Sequence, residues 1–126
     1  MLTIEQHLLG GMRSTDELPF AASWNDGVQA TARAVHELLA ANLVPEGGVS
    51  TISYRFGKPL HTVVQLNSYD GRLYFPARIR SRMDLASVQE RARAAGMRAG
   101  GTWIELPDDS ARREALLVLL RALPLT

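Results

Sequence analysis

The chain has 126 residues, 46% of them hydrophobic and 21% charged. These are the proportions of an ordinary globular domain, long enough to bury a core without staples. No cysteine is present, which excludes a disulfide framework, thiolate chemistry and a zinc–cysteine site. The net charge of +1 conceals an asymmetry: residues 1–54 hold two arginines against six acids, and residues 72–98 hold seven arginines against two acids. Such a distribution can mark a surface for an anionic partner.

The first residues, MLTIEQHLLGGMR, lack the basic stretch of a signal peptide. No apolar run approaches the roughly 18 residues of a membrane span, so the expectation is a soluble, cytoplasmic protein with no membrane partner. Residues 2–9 read as a short helix stopped by Gly10-Gly11, and 10–24 as a loop pinned by Leu18, Phe20 and Trp24. Residues 1–24 therefore precede a core, 25–126, with the order α-βββ-α-β-α, in a single domain.

Residues 26–43 read as a helix, with Asp26 as N-cap and Val28, Ala32, Val35, Leu39 and Leu43 at helical spacing. His36 flanks that stripe and reads as structural. Pro45-Glu46-Gly47-Gly48 ends the segment. From Val49 to Ile79 three extended runs are joined by two turn signals. Asp70-Gly71 reads as a two-residue type I′ turn, setting Asn67 opposite Tyr74 and Leu66 opposite Phe75. Around Gly57-Lys58-Pro59 a two-residue turn would scatter the apolar side chains over both faces, because a one-residue slip flips every side chain. A three-residue turn sets Phe56 opposite Leu60 and Tyr54 opposite Thr62. Ile52, Tyr54, Phe56, Leu60, Val64, Leu66, Leu73 and Phe75 then form one buried face.

Arg78 opens a basic link to Arg82, and Asp84 caps a helix with Leu85, Val88, Ala92 and Ala95 inward and Gly96 as its stop. Gly100–Leu106 reads as a fourth strand, with Thr102, Ile104 and Leu106 on one face and Trp103 and Glu105 on the other. Whether Trp103 lies inside or out is open at this level. Asp108 or Asp109 caps the last helix, whose Leu116, Leu117, Val118, Leu119 and Leu120 span more than one face. An exposed second row would invite self-association through Leu116, Leu117 and Leu120. Cover from the N-terminal helix and loop is the alternative. The fold expected is α+β: a two-layer sandwich of a four-stranded antiparallel sheet, meander plus one, with helices on one face.

No residue set meets a catalytic pattern: the serines lack a nucleophile elbow, and His7, His36 and His61 lack metal-ligand spacing. No cofactor and no metal site are expected. Subtracting the buried face leaves Arg55, His61, Arg72, Tyr74 and Arg78, with Trp103 if it faces outward, as the candidate binding surface. Aromatic and arginine side chains of this kind favour protein interfaces, and they also stack bases and pair phosphates. The leading expectation is a non-enzymatic interaction module binding a protein partner, or itself as a homodimer, through the outer sheet face or the last helix. Nucleic-acid binding by residues 72–98 is the alternative, and a small-ligand-binding protein or enzyme comes third.

In layout, Gly57-Lys58, Leu73–Ile79 with Asp84, and Trp103–Leu106 with Asp108 resemble the small MmcQ/YjbR-type proteins over residues 28–123. That resemblance implies DNA binding. The order is also similar to that of YbjN-type, secretion-chaperone-like folds, which implies a dimer that binds proteins. Fold alone does not decide between them.

Overall fold

The computed structural model describes residues 24–47, 51–57, 59–67, 70–76 and 84–123. The expected helix 2–9, the loop before Trp24, and the basic link with Arg78 lie outside the described residues. Within them the order is α1 (Asp26–Ala40), β1 (Val44–Gly47), β2 (Thr51–Phe56), β3 (His61–Asn67), β4 (Arg72–Tyr74), α2 (Leu85–Ala94), β5 (Trp103–Glu105) and α3 (Ser110–Arg121). The architecture is α+β, with one antiparallel sheet in the order β1-β2-β3-β4-β5. Among the described residues no helix is long and apolar enough to cross a membrane.

The extra strand, Val44–Gly47, occupies the stretch expected only as a helix stop. It pairs Val44 with Arg55 and Glu46 with Ser53. Pro45, which lacks a backbone donor, is tolerated because β1 is an edge strand. The helix before it begins one residue earlier in its capping than expected. Asn25, not Asp26, is the N-cap, its Oδ1 accepting from the Val28 N–H at 2.9 Å.

Both turns of the meander are longer than the sequence suggests. β2 and β3 pair Phe56 with His61 and Arg55 with Thr62, and then Tyr54 with Val64 after a bulge. A bulge places two residues of one strand against one of the other. Val63 and Val64 are both buried as a result, at 1% and 0% exposure. Burying the second valine, worth roughly 1.5–3 kcal/mol, favours this register over the regular one. Leu60, expected inside, sits in the turn and is half exposed. The second hairpin sets Asn67 opposite Arg72 and Leu66 opposite Leu73. That is a two-residue slip from the expected register, and a slip of two preserves every face. The loop closes on a Gly71 N–H bond to the Asn67 carbonyl, with Gly71 at φ +66°. Asp70 does not share the positive φ that a type I′ turn needs, and Asp70-Gly71 end a four-residue connection between Asn67 and Arg72 instead of forming a two-residue turn.

The inner face of the sheet carries Ile52, Tyr54, Val64, Leu66, Leu73 and Ile104, all at 0% exposure, with Phe75 nearly so. Val35 and Leu39 from α1, Ala92 from α2 and Leu116 from α3 close the core over it. Gln89, rather than Val88, is the buried residue in the middle of α2; its amide donates to the Gly100 carbonyl. Leu116, Leu117, Leu119 and Leu120 are all buried. The row expected at the surface is thus inside the chain, since α3 packs against both α1 and α2. Val118 is the one leucine-run member left half exposed. At the centre of the core His36 Nδ1 and the Tyr54 hydroxyl lie 2.7 Å apart, so each buried polar group meets the other. His36 is structural. Burial drives the Tyr54 phenol well above its ordinary pKa.

Candidate functional site

The outer face of the sheet follows from strand alternation. Two rows of cross-strand neighbours run over it. One contains Glu46, Ser53, Gln65, Tyr74 and Trp103; the other contains Thr51, Asn67, Arg72 and Glu105. No described helix covers this face, because all three pack on the opposite side. Apart from the exposed Glu46, these residues are half-buried.

Trp103 stands directly opposite Tyr74, and the Arg72 guanidinium lies 3.7 Å from the centroid of the Trp103 ring. A cation over an indole is attracted by the ring quadrupole, by about 0.5–1 kcal/mol at an exposed site. The hairpin of residues 99–104 holds the indole in place. Ala99 bridges to Ile104, and the Trp103 ring lies against Gly100, where an added Cβ would meet Trp103 Nε1 at 2.3 Å. The expected strand Gly100–Leu106 is shorter for this reason: its first residues turn the hairpin on which the indole rests.

Tyr74 is fixed by its hydroxyl, which donates to Asp70 Oδ2 at 2.5 Å. That bond to a carboxylate, helped by slight desolvation, raises the phenol above its ordinary pKa. Asp70 in turn accepts the Arg72 N–H through Oδ1 at 3.0 Å, tying the loop to the aromatic row.

The charges around this cluster are largely compensated. Arg55 pairs with Glu46 at 2.9 Å and Arg98 with Glu105 at 3.5 Å. Arg55 Nε and Arg72 Nε are both out of water with no hydrogen-bond acceptor among the described residues. The guanidiniums are therefore held by stacking and ion pairing at their outer edges.

Of the expected site residues, Arg55, Arg72, Tyr74 and Trp103 share this face, and Arg72, Tyr74 and Trp103 form one cluster. Arg78 lies outside the described residues. His61 does not belong with them. The bulge at Val63 puts it opposite Phe56, on the core side, where its ring packs beside Gly57. Among the described residues no group of three or more His, Asp or Glu side chains could hold a metal ion.

The sequence reading missed a cleft at one end of the sheet, formed where α1 begins, the β3–β4 loop turns and β5 runs into α3. Asp108 and Asp109 were legible only as helix caps. Asp109 is the N-cap of α3, accepting the Arg112 N–H at 2.8 Å, while the Arg112 guanidinium reaches both carboxylates. That N–H, then the guanidinium, holds the Asp109 carboxyl below its ordinary pKa.

No family model, curated protein or solved structure matches the chain.

Proposed function

We propose that the protein is a non-enzymatic interaction module that associates with itself, and with a protein partner, through the outer face of its sheet. The observation that carries this reading is the Arg72–Trp103 stack opposite Tyr74 on a face that no described helix covers. Trp, Tyr and Arg are the residue types enriched in the cores of interfaces and at their hot spots. The ion pairs Arg55–Glu46 and Arg98–Glu105 favour a protein over nucleic acid. Phosphate binding uses uncompensated cations, whose counterions are released on contact. The last helix is no longer the favoured surface, since Leu116, Leu117 and Leu120 are buried within the chain.

An isologous dimer would lay the same aromatic row against its symmetry mate. Light scattering on nucleic-acid-free protein, at low and high salt, tests this. The expected result is a dimer insensitive to salt that Trp103→Ala converts to monomer. A monomer that retains nucleic acid until salt strips it would overturn the reading and favour the arginine surface. A monomer under all conditions, free of nucleic acid, would remove self-association from it.

A further inference from the structure

The indole on the outer face rests on a short arm of chain, residues 98–100, that doubles back along β5. Ala99 bridges Ile104 on the edge of β5 away from β4, so β5 has a neighbour on both sides. The Gly100 N–H donates to the Trp103 carbonyl at 3.0 Å, and the Glu105 N–H to the Arg98 carbonyl at 2.9 Å. These bonds flank Ala99, and its own carbonyl is therefore turned away from β5. Arg72 reaches the Trp103 ring from β4, and Gly100 lies against the ring from the arm.

Two carbonyls of the arm are taken by α2. Arg93 donates to Ala99 through Nε at 3.2 Å and Nη2 at 3.0 Å, and the Gln89 amide donates to Gly100. Gln89 and Arg93 are four residues apart, so they share one face of the helix and meet consecutive residues of the arm. Gln89 is buried, which is uncommon for an amide, and the carbonyl it meets belongs to the residue against the indole. Core packing alone would be served by an apolar residue there; the amide adds a fixed donor to the arm.

We infer that Gln89 and Arg93 are positioning residues for the outer face. From the inner layer they act through Gly100 and Ala99 to hold the Trp103 indole where Arg72 stacks on it. One consequence, that losing either donor weakens association, rests on the reading of that face as the association surface; the placement of the indole does not.

Trp24→Phe leaves Trp103 as the single tryptophan of a chain that has two. In that background, acrylamide quenching at a dilution where the chain is monomeric reads how well the indole is covered. Gly100→Ala, whose added carbon would occupy the place of the ring, sets the signal of a displaced indole. Gln89→Leu and Arg93→Met keep the apolar stems and remove the donors, and both should raise quenching towards that signal. Arg93→Lys keeps a donor and should return most of the way to the parent. Light scattering over a dilution series should show association weakened roughly three- to tenfold in Gln89→Leu, the worth of one hydrogen bond. Leu116→Ala loosens the core at the seat of α3, and its folded state should quench as the parent does.

Raised quenching with unchanged association supports the positioning role and overturns the association reading. A parent that stays monomeric also removes that reading, and quenching then decides the positioning role by itself. The inference is overturned if neither donor variant quenches more than the parent, if Arg93→Lys matches Arg93→Met, or if Leu116→Ala raises quenching equally.

Discussion

The two faces of the sheet come from the same five strands and obey different rules. On the inner face, side chains at 0% exposure meet three helices, and the buried His36 and Tyr54 satisfy each other within the core. On the outer face, Arg72, Tyr74 and Trp103 lie together with no described helix over them, and the neighbouring charges are paired along the surface. Buried apolar packing is therefore concentrated on one side, and the stacked aromatic and arginine side chains lie on the other. Substitutions on the two faces should separate these properties.

The largest effect should come from the inner layer. Leu116→Ala removes a leucine with no exposure from the seat of α3 and should cost about 2–5 kcal/mol in denaturant unfolding. A loss below 1 kcal/mol would mean that α3 is not held as described. Tyr54→Phe leaves the packing but strips a buried imidazole of its partner hydroxyl, for an expected loss of about 1–3 kcal/mol. Full stability in that variant would show that the pair contributes nothing.

Trp103→Ala sharpens the contrast from the other side. It removes the stack with Arg72 and should reduce stability by only about 0.5–2 kcal/mol, while abolishing association. Unfolding the chain outright would instead make Trp103 a core residue in function.

The smallest effect is electrostatic. Asp109 is held below its ordinary pKa by the Arg112 N–H and guanidinium. Its contribution is therefore present above the unfolded carboxylate value of about 4 and is lost as pH falls through the lower folded value. Asp109→Asn keeps a capping oxygen and removes the charge, so its melting temperature should fall less than the parent's between neutral pH and pH 3. Identical acid profiles for the two proteins would rule out the linkage.

Much of this was legible in one dimension. Alternation placed Ile52, Tyr54, Val64, Leu66 and Leu73 on one face, and the slip in the second hairpin did no harm because two residues return each side chain to its side. Asp84 and Gly96 bounded α2 because capping is local chemistry. The pairing of Tyr74 with Trp103 was approachable from the period of two in each strand, but not whether the indole lay inside or out. That depended on the 99–104 hairpin, which seats the ring on Gly100.

What tertiary structure alone decided shares one physical cause: the competition of distant surfaces for burial. Val63 moved inside through a bulge, which carried His61 off the candidate face. The leucines of α3 are apolar on more than one side, and Leu116, Leu117, Leu119 and Leu120 are buried within the chain where α3 packs against α1 and α2. The cleft at Trp24 brings together segments more than thirty residues apart, and no local pattern encodes such a meeting. The sequence determined the periodicities, the caps and the absence of thiol chemistry, all of which depend on near neighbours. Register, cover and concavity were decided by packing, since these depend on which apolar surface is closest once the chain has folded.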